Sequence, residues 1–377
     1  MQRVRLTRAL FIEDAERAAF QLARAASERG RVVLDLEGVT AFRPGAAARL
    51  ANPLRSAAAA GCDVEVLLPD TEGPLHRILA AGIGPQLAQH STTLRSGGRA
   101  RTRELRQVLS AVPQLPETTL LAPDLHRHPT FVARDRASIA KVLRSWLQGF
   151  PAGRGRVPNS DELRCVATLV AEAVANVQDH SRKKPLSADA RVHSYAQFRW
   201  RSRSELTSLS NEEAPGSDPS TAYLSALLAD ESPWGALGGL LEIEIVDDGV
   251  GIASRHALDT SVVEAQSMDR EREVLGQALT AGESVKLRAQ DCPVDKKPGY
   301  GSALVAQQIS LMGGYVSLRT GRLIASLQGA SREEFTFAIG PGRLAVMPGC
   351  IVTALLPVFA KARPMQVADD DPQPRLF

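Results

Sequence analysis

The sequence predicts an α/β protein of two domains: a small α/β domain, followed by an α/β sandwich of the α+β type. Strand and helix patterns alternate through residues 1–90, which is typical of a small α/β unit. A long amphipathic helix and several β-branched strands follow. The 377 residues exceed one average domain, so each part is long enough to bury its own core.

Six segments alternate within residues 1–90. They are the strand RVRL, the helix EDAERAAFQLARAASERG, the strand RVVLDLEGV, the helix GAAARLANPLRSAAAAG, the strand CDVEVLLP and the helix PLHRILAAGIG. Glycines at the helix ends are typical stop signals, and β-branched residues dominate the central strand. Residues 91–116 are polar and basic with two adjacent glycines, which predicts a linker with one short helix.

Residues 117–360 predict the second domain. It opens with the strand TLLAP, the helix ASIAKVLRSWLQGF, a long helix beginning near Asn159 or Ser160, and the strand ADARVHSYAQFRWRSR. An insertion at 204–239 with one helix (STAYLSALLAD), the buried strand LLEIEIVDD and a polar stretch at 253–298 follow. The domain ends with the helix SALVAQQISLMGG and the strands YVSLRTG, EEFTFAIG and CIVTALLPVFA. The tail at 361–377 is expected to be disordered.

The composition argues against nucleic-acid binding through bulk charge, against a membrane protein, and against a zinc or disulfide framework. The net charge of +3 is small and spread along the chain, so bulk charge does not indicate nucleic-acid binding. No segment approaches the roughly 20 apolar residues of a spanning helix, and no signal-peptide core follows Met1. The four cysteines are far apart, which argues against a zinc or disulfide framework. We expect a cytoplasmic protein without a membrane partner.

The long helix carries an acid and an amide on one face. Glu172 and Asn176 are four residues apart, so their side chains leave the helix about one turn from each other. A carboxylate there can orient or deprotonate a nucleophile beside a γ-phosphate, while the amide oxygen binds Mg²⁺. His180 lies one turn further on. The same spacing also occurs as a solvated charge beside a polar residue, and His180 also fits a residue that satisfies terminal carbonyls.

A second motif, IEIVDDGVGI, places Asp247 at the end of a buried strand and releases the chain through Gly249 and Gly251. Glycines let the backbone approach a base and sugar without a Cβ clash. Asp248 is expected to be the solvent-side neighbour of Asp247. Taken alone, the motif is equally compatible with an acidic turn between two strands.

A third motif, PGYGSALV, opens a helix directly after a glycine pair. Gly299 and Gly301 leave backbone amides free at the helix start, where phosphate oxygens can bind, and Ser302 adds a hydroxyl. Lys297, beside Lys296, stands within reach of a phosphate. The alternatives are a plain loop-to-helix turn and solvated lysines.

Together with the closing strand MPGCIVTALLP, the order and spacing of these motifs resemble the GHKL superfamily of ATP-binding domains. The resemblance implies a Bergerat sandwich with a mixed sheet covered by helices on one face, and ATP and Mg²⁺ as cofactors. It assigns Glu172 as general base, Asn176 as metal ligand and Asp247 as acceptor of the adenine amine. Residues 253–298 correspond to the ATP lid. Cys350 replaces a threonine that helps to bind adenine in some relatives, and Thr353 need not substitute for it.

The phrase VVLDLEGVTAFRPGAAARL resembles the STAS fold of sulfate transporters and anti-sigma antagonists. Signalling members carry a phosphorylated serine at the start of the second helix, whereas Arg43, Pro44 and Gly45 occupy that turn here. The resemblance therefore implies a structural or docking unit without a phosphorylation switch.

Three functions are compatible with these features. The first is an ATP-binding regulatory protein similar to anti-sigma-factor serine kinases, which hydrolyses ATP or transfers its phosphate to a partner such as a sigma factor or another signalling protein. The second is an ATP-gated clamp that dimerises, as in chaperones and mismatch repair. The third is a nucleotide sensor without hydrolysis. A histidine kinase is rejected because His126 and His128 lie in a proline-flanked segment and not in a long helix.

Overall fold

The computed structural model describes residues 2–10, 12–28, 30–110, 119–123, 125, 127–132, 135–149, 156–181, 192–210, 219–229, 232–280, 301–328, 337–341 and 346–362. The α/β class predicted from the sequence is confirmed, with helices packed on two sheets. None of the helices in these ranges combines the length and apolarity needed to cross a membrane. Of the tail predicted at 361–377, residues 363–377 lie outside the described residues.

The first sheet has five strands in the order β1 to β5. They are β1 (Gln2–Leu10), β2 (Arg31–Phe42), β3 (Asp63–Leu68), β4 (Thr93–Ser96) and β5 (Arg99–Ala100). Strands β1 to β4 pair in parallel, and β5 pairs antiparallel with β4. The helices of this domain are α1 (Ile12–Glu28), α2 (Ala48–Ala59), α3 (Glu72–Ala80), α4 (Gly84–His90) and α5 (Thr102–Ser110).

The first domain is longer than predicted. The segment 91–116 was expected to be a linker, but β4 and β5 complete the first sheet and α5 inserts Leu105 and Leu109 into its core. The strands were not recognised because they are short and rich in polar residues. The first domain therefore extends at least to Ser110.

The second sheet has seven strands in the order β11-β10-β9-β12-β8-β7-β6. They are β6 (Thr119–Pro123), β7 (Ser194–Ser202), β8 (Leu237–Asp247), β9 (Tyr315–Gly321), β10 (Leu323–Gln328), β11 (Ala338–Pro341) and β12 (Met347–Phe359). Every described pairing in this sheet is antiparallel. The prediction of a mixed sheet, with both parallel and antiparallel pairs, is therefore wrong for this domain. Alternation of polar and apolar residues along β7 agrees with an antiparallel sheet that has two unlike faces.

Helices cover both faces of the second sheet, where one covered face was expected. They are α6 (Pro129–Val132), α7 (Arg136–Gln148), α8 (Ser160–His180), α9 (Arg203–Ser210), α10 (Pro219–Ala229), α11 (Ile252–Ala257), α12 (Ser261–Glu264), α13 (Met268–Leu279) and α14 (Gly301–Met312). Residues of α7, α8 and α14 share one apolar core with the sheet, and this side is called the helix side below.

The opposite face of the second sheet packs against the first domain and the insertion. In the insertion, α10 corresponds to the predicted helix, and α9 was not predicted. Both helices pack near the start of β8, around Leu240 and Leu355, and not near its end at Asp247. The remainder of this face contacts α1 and α2, and it is called the docking side below.

Helices α1 and α2 each pack against both sheets. Ala15 and Leu22 of α1 face the first sheet, whereas Ala19 contacts the second sheet together with Ala48 and Ala51 of α2. Small side chains let the helix backbones approach the second sheet closely. The fold is therefore a four-layer stack: first sheet, α1 with α2, second sheet, and the helices of the helix side.

Charged side chains form the centre of this docking contact. The carboxylate of Glu16 on α1 accepts hydrogen bonds from Arg319 at 2.7 Å and Arg49 at 3.4 Å, and all three side chains are buried. Arg49 also donates to the carbonyl of Gly45, whose N–H donates to Glu242 of β8 at 2.9 Å. The turn formed by Arg43, Pro44 and Gly45 is thus buried against the second sheet.

Candidate functional site

Helix α8 begins where the sequence predicts. Asn159 caps it with a hydrogen bond from the N–H of Glu162, and the Glu162 side chain accepts the N–H of Asn159 in return. This capping box satisfies two of the amides that a helix start leaves unpaired. Arg156 forms an ion pair with the same glutamate. The helix that carries the candidate catalytic residues is therefore firmly anchored at its start.

Glu172 lies on α8 with its side chain 23% exposed, and it is not a free carboxylate. Arg136, the first residue of α7, donates to Glu172 Oε1 at 2.9 Å. Asn176 follows one turn later and is exposed. His180 is the last helical residue, and its side chain lies outside the described part of the chain.

Asp247 ends β8 with its side chain buried. It lies on the helix side, because Ile245 and Ile243, two and four residues earlier, belong to that core. The N–H of Gly249 donates to Asp247 Oδ1 at 2.9 Å. The aspartate is thus held by the chain reversal that it introduces.

The first glycine pair does not act only as a spacer. Gly251 has φ +84°, and a Cβ there would lie 2.7 Å from Thr320 Oγ1. That hydroxyl accepts the N–H of Ile252 at 3.0 Å. A side chain at position 251 would be strained and would also push against Thr320, so glycine is required here.

Register places four polar side chains in one row across the second sheet. Ser194 of β7 pairs with Asp247, Asp247 pairs with Cys350 of β12, and Cys350 pairs with Thr320 of β9. Directly opposed residues share a face, so all four lie on the helix side. Burial, and next the Asp247 charge, raise the pKa of the Cys350 thiol. This row forms the floor of the candidate site.

Ser194 is the unexpected member of the row. Its side chain is fully buried, and its hydroxyl makes no hydrogen bond to any residue in the described ranges. Thr353, in contrast, pairs with Glu244 on the docking side, so it cannot supply the hydroxyl that Cys350 lacks. The hydroxyl beside Cys350 is that of Thr320.

The end of α8 lies at the same edge of the sheet. Gln178 donates from Nε2 to the carbonyl of Leu125 at 2.7 Å, and the N–H of Leu125 donates to the carbonyl of Ser194 at 3.4 Å. Because Ser194 pairs with Asp247, these bonds bring the Asn176 end of α8 to the edge where β8 ends. The end of α8 and the end of β8 therefore lie at one edge of the sheet.

The second glycine motif is only partly described. Gly301 begins α14, but Gly299 and Lys297 lie outside the described residues, as do the side chain of Ser302 and residues 281–298 of the segment expected to be a lid. Helix α14 contacts α8, and two residues separate its last residue from Tyr315, the first of β9. A helix that runs back along β9 begins at the edge where Thr320 lies.

Asp248 was expected to face solvent, and this expectation is wrong. Its side chain points to the docking side, is buried, and pairs with Arg55 Nη1 of α2 at 2.9 Å. The prediction failed because it treated the second domain alone. The first domain covers this side of the sheet.

Three residues of the site were not predicted: Arg136, Ser194 and Thr320. Arg136 opens a helix whose register with α8 is visible only in three dimensions. Ser194 and Thr320 belong to predicted strands, and only the pairing register shows that they flank the strand ends at Asp247 and Cys350.

Comparisons with protein-family models, curated proteins and solved structures find no match to this chain.

Proposed function

We propose that the chain is a cytoplasmic regulatory protein that binds Mg-ATP on the helix side of its second sheet, and hydrolyses it or transfers its phosphate to a partner protein. The proposal joins the GHKL-like motifs to the geometry of the site. The acid-amide helix and the motif that holds both the buried aspartate and the glycine reversal come from distant parts of the chain. The end of that helix lies at the edge of the sheet where β8 ends.

The observation that carries the proposal is the environment of Asp247. A buried carboxylate is costly unless it is hydrogen-bonded, and this one is fixed by Gly249 at the end of a strand. Beside it lie the thiol of Cys350 and the hydroxyl of Ser194, which has no hydrogen-bond partner within the described ranges. A buried acceptor among short polar side chains suits the amine-bearing edge of adenine.

The phosphate end of the site is supported by α8. Glu172 supplies a carboxylate in reach of a nucleophile, and the exposed amide oxygen of Asn176 suits Mg²⁺, which keeps phosphate oxygens and waters as its other ligands. When bound, the metal neutralises charge on the phosphates. Glu172 would take the proton from the attacking hydroxyl or water.

A nucleotide sensor is the second candidate, and one contact favours it. Arg136 Nη2 donates to Glu172 Oε1 at 2.9 Å, so this oxygen is engaged by a guanidinium and is not available to a nucleophile while the pair lasts. If this pair persists with nucleotide bound, turnover is slow and binding itself is the signal. Phosphate release measured beside binding separates the two candidates.

Titration with ATP and Mg²⁺ by calorimetry tests the proposal, with Asp247→Asn as the key variant. The amide of this variant still accepts the Gly249 N–H but replaces one carboxylate oxygen by an NH₂ group, which repels an adenine amine. We expect its ATP affinity to fall at least about a hundredfold, with the thermal transition nearly unchanged. Equal ATP affinity in the two proteins would refute the adenine site.

Glu172→Ala tests the chemistry separately. We expect ATP binding to persist and phosphate release to fall about a hundredfold, as for loss of a general base. Unchanged release would remove Glu172 from catalysis. Label transferred from γ-phosphate to a second protein would identify a kinase, and ATP-dependent dimerisation in light scattering would instead identify the clamp.

A further inference from the structure

Helix α2 of the first domain touches the back of the candidate nucleotide site. Asn52 is buried, and its Nδ2 donates to the carbonyl of Asp247 at 2.6 Å and to the carbonyl of Pro348 at 2.9 Å. The two carbonyls belong to neighbouring strands, β8 and β12. One amide group therefore ties together the two strand ends that carry Asp247 and Cys350.

Little room surrounds this contact. Gly349 has φ +74°, and a Cβ at this position would lie only 1.9 Å from the Asp247 carbonyl oxygen. The Asp247 peptide group is therefore held between the backbone of Gly349 and the amide of Asn52. A shift of α2 would move the backbone of Asp247, and the carboxylate on the other side of the sheet would move with it.

Arg55, almost one turn further along α2, makes a second contact. It pairs with Asp248 at 2.9 Å, and Asp248 Oδ1 accepts the N–H of His193 at 2.8 Å. That bond joins the residue before β7 to the residue after β8. Two side chains of the first domain thus reach the ends of three strands that form the floor of the site.

We propose that Asn52 and Arg55 are positioning residues through which the first domain sets the affinity of the nucleotide site. This inference rests on the proposed ATP site. The two residues act from outside the pocket, by fixing the backbone from which Asp247 projects. Because linkage is reciprocal, nucleotide binding and anything that shifts α2, such as a protein docking on the first domain, change each other's affinity by the same factor.

Gln197 provides a matched control on the same interface. Its Nε2 donates to the carbonyl of Ala81 at 2.9 Å, and its side chain is buried on the docking side of β7. Gln197→Ala removes one buried hydrogen bond between the domains without touching Asp247, Asp248 or Pro348. A general loosening of the interface would affect this variant and Asn52→Ala alike.

Hydrogen exchange and ATP titration of the full chain test the inference. Without nucleotide, we expect Asn52→Ala to raise amide exchange at 247–252 and 347–351 about tenfold, with Gln197→Ala unchanged in these segments. ATP affinity should fall about tenfold in Asn52→Ala and further in Asn52→Asp, whose carboxylate would oppose two carbonyl oxygens. Turnover at saturating ATP should change much less than affinity, because the positioning acts on the base end of the site.

Arg55→Ala and Arg55→Lys keep the test decisive if position 52 does not tolerate substitution. Arg55 is 27% exposed, so its loss is less disruptive, and lysine should restore most of the affinity lost in the alanine variant. Equal exchange and affinity in wild type, Asn52→Ala and Arg55→Ala would overturn the inference. If the wild type does not bind ATP, the proposed function fails, while the exchange data still decide whether α2 positions the strand ends.

Discussion

Ser194 shows how the surroundings of one residue suggest a role that its sequence context does not. Its hydroxyl is fully buried and has no hydrogen-bond partner among the described residues. A buried hydroxyl without a partner costs free energy in the empty protein. An adenine ring that forms hydrogen bonds with both Ser194 and Asp247, its partner on the neighbouring strand, would remove that cost.

Ser194→Ala should therefore separate binding from stability. We expect ATP affinity to fall about fivefold, which corresponds to one neutral hydrogen bond, while the thermal transition stays equal or rises. Calorimetric titration and thermal unfolding of the same samples measure both quantities. A loss of stability without a loss of affinity would assign Ser194 to packing alone.

The helices α7 and α8 run antiparallel and are tied by two side-chain contacts of different consequence. Near the start of α7, Arg136 binds Glu172, the candidate base. Near its end, Arg144 donates to the hydroxyl of Ser160 at 3.2 Å. Both arginines are substantially exposed, so neither contact contributes much to stability.

Arg136→Ala should alter turnover and leave binding intact. If Arg136 orients the carboxylate, we expect kcat for phosphate release to fall about tenfold, with ATP affinity within about twofold of wild type. Arg144→Ala is the matched control and should match wild type in both measurements. A faster Arg136→Ala enzyme would show instead that the ion pair restrains the base, as the sensor candidate requires.

The sequence pattern predicts the longer helices and strands. It does not predict the short strands or the contacts between residues that are far apart in the sequence. The apolar, β-branched stretches in RVVLDLEGV and LLEIEIVDD located β2 and β8, and the capping residues near Asn159 or Ser160 located α8. Short strands such as β4 and β10 escaped because polar residues such as Ser96 and Ser326 interrupt their apolar pattern. Contacts such as that of Asn52 with Asp247 join residues 195 apart and carry no local signal.

The site was predictable where chemistry is concentrated in a motif. Asp247 ends a buried strand and Gly251 stands four residues later, so the sequence alone indicates a special turn. Glu172 was recognisable by its spacing from Asn176, but not its partner Arg136. Polar residues such as Arg201 and Glu244 recur on one face of β7 and β8, and a polar stripe on a buried strand indicates a charged layer packed against that face.

At the level of the whole molecule, the charged layer between the domains extends to the insertion. Glu242 accepts a hydrogen bond from Arg201 Nε at 2.6 Å, and Glu205 of α9 accepts from Arg201 and Arg199 at 2.7 and 2.8 Å. Burial opposes the charge of Glu205, but the two arginines outweigh it and lower its pKa. At Glu244, the arginines of the described part of the chain do not outweigh burial.

Glu244 should make stability depend on pH. Burial, and next the charge of Glu242, raise the pKa of Glu244 from 4.5 to about 8, although Arg201, Arg49 and Arg199 oppose the shift. The folded chain therefore holds this proton more tightly than the unfolded chain does. The stability that this group contributes is complete below about pH 4.5 and is lost as the pH rises toward 8.

Glu244→Gln imitates the protonated form and should keep that stability. We expect the free energy of unfolding of the variant to exceed that of wild type by several kcal/mol at about pH 9 and to differ little from it at about pH 5, as measured by urea unfolding. Glu273→Gln, at an exposed ion pair with Arg270, should follow wild type at both pH values. Parallel curves for wild type and Glu244→Gln would contradict the raised pKa.

The shared middle layer also bears on how the chain is synthesised. The first domain leaves the ribosome before the second sheet exists, so α1 and α2 must wait with one side uncovered. That side carries Glu16, Arg49 and Asn52 among alanines, and hydrated charges keep it from aggregating in the interval. The same residues then become the dry ionic layer once β8, β9 and β12 arrive. The face of α1 and α2 is therefore soluble while the second domain is still being made, and it forms specific ion pairs and hydrogen bonds once that domain has folded. The two domains of one chain can thus fold one after the other.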